Sequence, residues 1–322
     1  VKEISLAILR MRRVSSRNNV SLRSFILYRL GYYNLWKDKM LDRINHLRKY
    51  HVLNEKTLEI GPFHSPIFPK SEFRHVFSSD VFTQETLVAN ALNDKNISQV
   101  NINRIESVDF IWKGSLEETL RGCGSDWALI VSSHNFEHQP DPIKFLIDAE
   151  KLLKPGGVLT MAIPIATRCF DAFRPLTTTG AWLDWYGNRQ KPSYGIWFDN
   201  SVSFCSARNK NMMQHGAFEE QDIHFNSDDL NYSKFDVDRE FHEYRDSHCS
   251  VMTLESLKLI LHDLNRIGLL SRLKMFDCKN GDFEFVVHLS KSRIPLEFYE
   301  KNRSLLLKDS VRYYRNELST LF

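Results

Sequence analysis

Short apolar runs, separated by stretches with helical spacing, occupy the middle of this chain. The pattern predicts strands over Thr57-Leu58-Glu59-Ile60, His75–Ser79, Val108–Trp112, Trp127–Val131 and Val158–Ile163. Short apolar strands that alternate with helices make βαβ units, and βαβ units make a parallel sheet. Between the fourth and fifth strands, Asp141 reads as an N-cap with Pro142 at the first helical position. Ile143, Leu146, Ile147 and Leu153 share one face, and Lys154-Pro155-Gly156-Gly157 stops the helix. Thr253 caps a second clear helix, in which Leu254, Leu257, Ile260, Leu261, Leu264 and Ile267 precede Gly268. Two last strands, Leu273–Asp277 and Phe283–Leu289, flank a Lys279-Asn280-Gly281-Asp282 turn and predict an antiparallel hairpin.

Both ends and one internal stretch depart from that alternation. Leu22, Ile26, Leu30, Tyr33, Trp36, Met40, Ile44 and Leu47 step by three or four and form one apolar helical stripe. Residues 165–250 lack clear periodicity and are rich in aromatics, His, Asn and Asp, as in a lid or small subdomain. A basic amphipathic stretch, 295–320, predicts a final helix. The expected fold is an α/β, Rossmann-like, doubly wound and mostly parallel sheet with an antiparallel terminal hairpin. Its parts are a basic helical arm (1–50), a cofactor-binding core (51–164), a substrate-covering insertion (165–250), the rest of the core sheet (251–290) and a C-terminal helix (291–322).

Composition agrees with a folded domain. The 322 residues are 42% hydrophobic and 26% charged, which excludes collagen-like and globally disordered chains. No apolar run approaches the roughly 18 residues of a membrane span, and no apolar segment of a secretory signal follows the basic start. The five cysteines show no C-x-x-C spacing, so reduced thiols in a cytoplasmic protein are expected. The net charge of +3 conceals an asymmetry: residues 1–50 hold twelve Lys/Arg against three Asp/Glu, and the remainder is mildly acidic. The arm is either a solvated helix face or a surface for a membrane's inner face, an acidic partner or a polyanionic glycan, and its apolar stripe needs either the body of the chain or a second subunit to cover it. An acidic body with basic ends argues against nucleic acid as the partner.

Open doubly wound sheets bind ligands at the carboxyl ends of their strands, at the switch point beside strand one. Loop one holds Glu59, Gly61, Pro62, Phe63 and His64. With a single glycine it suits a nucleoside without a pyrophosphate better than a dinucleotide. Asp80, at the end of strand two, stands where a carboxylate accepts hydrogen bonds from ribose hydroxyls; otherwise it caps the next helix.

Leu58-Glu59-Ile60-Gly61 and Asp80, together with Asp126–Val131 running into Ser132-Ser133-His134-Asn135-Phe136-Glu137-His138, and Leu152-Leu153-Lys154-Pro155-Gly156-Gly157, resemble class I S-adenosylmethionine-dependent methyltransferases. The likeness is to the branch often called type 11 and spans about residues 55–165. It implies S-adenosylmethionine as cofactor, with Glu59 and Gly61 at its methionine end, Asp80 on the ribose, Gly114 and Ser115 at the adenine, and Ser133 and His134 on the reacting side. The further glycines usual in loop one, and an Asp common after strand three, are missing. Arg168-Cys169-Phe170-Asp171-Ala172-Phe173-Arg174-Pro175-Leu176-Thr177 and Tyr244-Arg245-Asp246-Ser247-His248 resemble a subgroup encoded among surface-polysaccharide assembly genes. That likeness implies a saccharide or other small-molecule acceptor.

Methyl transfer to a hydroxyl needs a group that removes its proton. His248 is the preferred base among His138, Asp171, Asp246 and His248. Arg174 either clamps an anionic acceptor or pairs with Asp171. No metal is expected, although His242, Asp246 and His248 have spacings that would allow one. Trp182, Trp185, Tyr186, Tyr194 and Trp197 either stack on sugar rings or pack a lid onto the core. The rival readings are a non-catalytic module of the same fold that scaffolds an assembly complex, and a nicotinamide-dependent enzyme.

Overall fold

The computed structural model describes residues 38, 40–188, 191–207, 223–225, 227, 235 and 245–319. The chain divides into two units, Val1–Lys49 and Tyr50–Phe322. In the first, residues 40–47 are helical and carry Met40, Ile44 and Leu47 of the apolar stripe; the rest of the stripe lies outside the described residues.

The second unit is built on a seven-stranded sheet with strands β1 (Thr57–Ile60), β2 (Val76–Asp80), β3 (Phe110–Ile111), β4 (Trp127–Ser133), β5 (Leu153–Pro164), β8 (Lys274–Asn280) and β9 (Glu284–Ser290). Their order is β3-β2-β1-β4-β5-β9-β8. The first five run parallel. β9 enters antiparallel beside β5, and β8 pairs antiparallel with β9, so β8 again follows the direction of the first five. A separate two-stranded ribbon, β6 (Cys205–Ala207) with β7 (Ile223–Phe225), lies in the insertion. β1 is buried throughout and β4 nearly so, as strands covered on both faces must be.

The helices that cover the sheet start where the sequence marks them. In α4 (Pro142–Leu152), Asp141 accepts from Lys144 N at 2.9 Å and Pro142 takes the first turn. In α7 (Leu254–Arg266), Thr253 and Ser256 cap each other's backbone amides reciprocally. Shorter helices are α1 (Gln84–Asn93), α2 (Gln99–Ile102), α3 (Leu116–Thr119), α5 (Thr179–Trp185) and α6 (Tyr194–Ser203), and α8 (Arg303–Leu318) closes the described chain. One continuous core joins Leu58, Ile130, Phe136, Leu146, Leu159, Leu257, Phe285 and Leu289. No described helix is long and apolar enough to cross a membrane.

Three expectations change. Strand three shrinks to Phe110–Ile111, an edge strand paired with β2 alone. The Lys-Pro-Gly-Gly stretch does more than stop a helix: it is the start of β5, where the register with β4 shifts between Trp127↔Leu153 and Leu129↔Val158. Pro155 cannot continue a helix, and Gly156 turns the chain at φ +79° into the sheet. The tail is split: a 3-10 turn over Glu297–Glu300 precedes α8.

A Cβ at Gly157 would lie 2.8 Å from Trp127 O and 3.0 Å from Lys154 O, both backbone atoms that cannot swing away. Gly157→Ala should therefore lower stability by about 1–3 kcal/mol, the usual cost of overpacking. Thermal or urea denaturation checks this; an unchanged midpoint would mean that the β4–β5 junction has slack.

Candidate functional site

Chain order reverses between β1 and β4, so their carboxyl ends define the crevice where the loops diverge. No helix follows β1: residues 61–75 reach β2 as turns and coil. The first loop therefore offers no helix N-terminus to a phosphate. Gly61 sits at φ +64° and donates to Ser79 O at 2.8 Å; its nearest neighbour is Asn135 Nδ2, 3.2 Å from where a Cβ would stand. Among the described residues three non-glycines have positive φ, and two border this crevice: Phe63 at 43° and His134 at 50°. Such conformations cost about 1 kcal/mol or more each and cluster at functional sites.

The expected cofactor residues fall into distinct roles. Glu59 is buried, and its carboxylate accepts from Ile67 N at 2.7 Å and Phe68 N at 3.0 Å, so it braces the loop. Asp80 ends β2, nearly buried, with Oδ1 only 3.4 Å from Phe82 N. It does not cap α1, because Thr83 accepts from Thr86 N there. Burial raises the Asp80 pKa, amide hydrogen bonds from Phe82 and Val81 oppose the rise, and Asp246 adds to it. Ser115, expected at the adenine, is the N-cap of α3, where its hydroxyl accepts from Glu118 N at 3.2 Å. Gly114 beside it turns at φ +86°. Ser133 ends β4, and the His134 amide donates to Ala162 O at 2.9 Å.

Beyond β4 the chain makes a single 3-10 turn, Phe136–His138. This turn brings three imidazoles around one carboxylate. Glu137 is fully buried, and neither of its side-chain oxygens has a hydrogen-bond partner among the described residues. Its Oε1 lies 3.8 Å from each of His134 Nδ1, His138 Nε2 and His248 Nε2. The other nitrogen of each ring faces a second carboxylate: His134 Nε2 meets Glu284 at 2.7 Å, His138 Nδ1 meets Asp246 at 2.8 Å, and His248 Nδ1 meets Asp171 at 2.5 Å. For His138, burial lowers the pKa, but Asp246, Glu137 and Asp171 outweigh it and lift it to about 9.

His248 and Asp171 are thus brought together as a buried pair. Burial alone would raise the Asp171 pKa; the hydrogen bond and charge of His248, with the charge of Arg174, hold it below the ordinary value. Of the two roles open to Arg174, the structure shows the pairing with Asp171: it is buried and donates to Asp171 Oδ1 at 2.7 Å and to His248 O at 3.0 Å. Its spacing of one helical turn from Asp171 marked this ion pair. Main-chain bonds complete the assembly, since Glu137 O accepts from Cys249 N at 2.7 Å and Ser250 N at 3.0 Å. The final helix props the same loop: Glu317 accepts from Arg168 Nε at 2.8 Å, and Tyr314 donates to Arg174 O at 3.2 Å.

The aromatic residues do not form one wall. Trp182 is fully buried, packs against Phe136 and donates to Ser250 Oγ at 3.0 Å; Trp185 and Tyr186 pack against the core. Tyr194 and Trp197 pair at 5.6 Å, with Arg245 over Trp197. Of the histidine–aspartate–histidine set considered for a metal, His242 lies outside the described residues. The sequence reading missed Glu137 and Glu284. The spacing His134-x-x-Glu137-His138 was a signal for the first; Glu284 reaches the site only through the antiparallel pairing Pro164↔Glu284.

No protein-family model and no curated protein matches this chain. Solved structures with partial likeness include a SAM-dependent methyltransferase from Methanosarcina mazei, at 13% identity and TM-score 0.37, covering 77% of this chain and 97% of that one. A SAM-dependent methyltransferase from Aquifex aeolicus gives 12% identity and TM-score 0.36, covering 76% and 87%. The CcbJ methyltransferase from Streptomyces caelestis gives 10% identity and TM-score 0.38, covering 77% and 94%. The fold assignment rests on the strand order: an open, doubly wound Rossmann-like sheet, five strands parallel, with one antiparallel strand next to its end.

Proposed function

We propose that the protein is an S-adenosylmethionine-dependent methyltransferase that methylates a hydroxyl oxygen of a saccharide or related small molecule. The observation that carries this reading is Asp80. It is a nearly buried carboxylate at the end of β2 whose donors are the amides of Phe82, at a long 3.4 Å, and Val81, with no capping duty, and β2 lies directly beside β1, which Gly61 follows. A carboxylate so placed has acceptor capacity to spare for a ribose diol. Gly61 and the backbone beyond it would hold the methionine end, with Glu59 fixing that loop, and Ser133 and His134 would line the reacting side. The cofactor supplies an electrophilic methyl carbon and its own leaving group. The saccharide acceptor is carried by the resemblance of residues 168–177 and 244–248 to the polysaccharide-associated subgroup.

What this chain's residues contribute is orientation and control of a proton. The acceptor oxygen is activated at the cluster of Glu137, His138 and His248, through the Nε2 lone pair of His248. Asp171, kept ionised, accepts from Nδ1 and so fixes the tautomer that leaves Nε2 free. Arg174 is a positioning residue: it neutralises Asp171 and pins the His248 carbonyl.

Calorimetry with S-adenosylhomocysteine tests the cofactor, and no heat of binding at millimolar ligand would reject the whole reading. Asp80→Asn should weaken that binding about 10- to 100-fold, the worth of charge-assisted hydrogen bonds. Because the ionised carboxylate is the binding form and burial raises its pKa, wild-type affinity should fall on acidification at a higher pH than an unperturbed Asp would give. The Asn variant should lack that dependence, and an equal slope in both proteins would remove Asp80 from the ribose site.

His248→Ala should lower turnover about 10²- to 10⁴-fold while S-adenosylhomocysteine affinity stays within a factor of a few. A variant that keeps wild-type turnover on the methylated acceptor would take His248 out of the mechanism.

A further inference from the structure

We propose that Glu137, His138 and His248 together bind one divalent transition-metal ion of the zinc class, with an open position for an oxygen of the acceptor. One ligand atom from each residue lies within 4.8 Å of the other two, and both Nε2 atoms stand 3.8 Å from Glu137 Oε1. Ligands on a tetrahedral ion at about 2.1 Å are about 3.4 Å from one another, so each Nε2 needs to approach Glu137 Oε1 by only a few tenths of an ångström. At 3.8 Å these nitrogens are too far from the carboxylate for hydrogen bonds to it. The carboxylate is therefore unsatisfied by the two rings and close to the spacing an ion would require.

Glu137 is the second, independent observation. A carboxylate with no exposure and no donor on either oxygen costs several kcal/mol unless a positive charge meets it. Its backbone is not free to turn it toward water, since Glu137 O holds the amides of Cys249 and Ser250.

The surroundings have the form that metal-bound histidines take. His248 is backed through Nδ1 by a hydrogen bond with Asp171, and an Asp246 oxygen lies 2.8 Å from His138 Nδ1, outside hydrogen-bond geometry but close enough to orient the ring on a small shift. Arg174 in turn orients Asp171. Two imidazoles and one carboxylate suit zinc, cobalt, nickel or ferrous iron, and suit magnesium or calcium poorly. The alternative grouping of Cys169, Asp171 and His248 would use Asp171, whose oxygens already serve Arg174 and His248.

The use of this ion rests on the proposed methyl transfer; its binding does not. With an acceptor hydroxyl as the fourth ligand, the ion would hold the reacting oxygen and lower its pKa, and His248 Nε2 would then serve as a ligand in place of taking the proton itself.

The test uses the full-length protein, stripped with dipicolinate and titrated with zinc chloride by calorimetry, with metal content read by mass spectrometry. One zinc per chain is expected, with a dissociation constant below about 10 µM. Glu137→Gln and His138→Gln should each weaken binding at least about 100-fold, and Asp246→Asn about 10- to 100-fold. His75→Gln, an exposed residue outside the site, should leave binding unchanged. In wild-type crystals soaked in zinc, an anomalous peak should lie about 2.0–2.2 Å from the three ligand atoms, a readout that does not depend on any variant folding. Absence of saturable zinc binding, full affinity in Glu137→Gln, or a peak elsewhere would each overturn the proposal. Titration with S-adenosylhomocysteine separates the two readings: zinc bound without it removes the methyltransferase reading alone, and the reverse result removes the metal alone.

Discussion

Buried carboxylates organise the functional end of this protein. Asp171 lies between Arg174 and His248, and because all three are cut off from water, each must satisfy the others. Losing one partner of such a group leaves a buried charge unpaired, at a cost of about 3–5 kcal/mol. That requirement ties the loop after β5 to the segment before α7, although 74 positions separate Arg174 from His248. Once the tie is made, the His248 ring has one available orientation, and its second nitrogen faces Glu137.

The sheet explains why these segments meet. Parallel strands in the order β3-β2-β1-β4-β5 place the loops after β1, β2 and β4 along one rim, with the chain reversal between β1 and β4 opening a crevice there. β9 runs the other way, so its first residue, Glu284, arrives at the same rim and pairs with His134. The direct path from β1 to β2, without a helix, leaves the first loop to be shaped by Glu59 and by positive-φ backbone at Gly61 and Phe63. Backbone bent in this way admits a ligand close to the strand end but gathers no anion-binding amides of a helix terminus.

Rigidity at the rim comes from outside the sheet as well. α8 reaches back to the loop after β5 through Glu317 and Tyr314, and Trp182 anchors α5 to Ser250 beneath the cluster. Trp182 and the tail helix thus brace the segments that carry the histidines. Side chains locked by such neighbours hold reacting groups within the few tenths of an ångström that orientation effects require.

The sequence by itself determined the strands β1, β2, β4 and β5, the caps at Asp141 and Thr253 and the terminal hairpin, because each depends on local periodicity, capping chemistry or a turn. It also placed Gly61, Asp80 and His134 at strand ends, since a strand's end is a local fact. Tertiary structure alone decided what surrounds Arg174 and Glu137. The Arg174–Asp171 spacing was visible, but whether the guanidinium faced a ligand or the interior depended on burial. Glu137 looked like half of a Glu-His pair in a loop; its isolation from every donor exists only after residues 245–250 fold over it. Periodicity records how a residue sits in its own element, whereas the charge environment of a buried side chain is set by segments far away in the chain, and so could not be read before the fold brought them together.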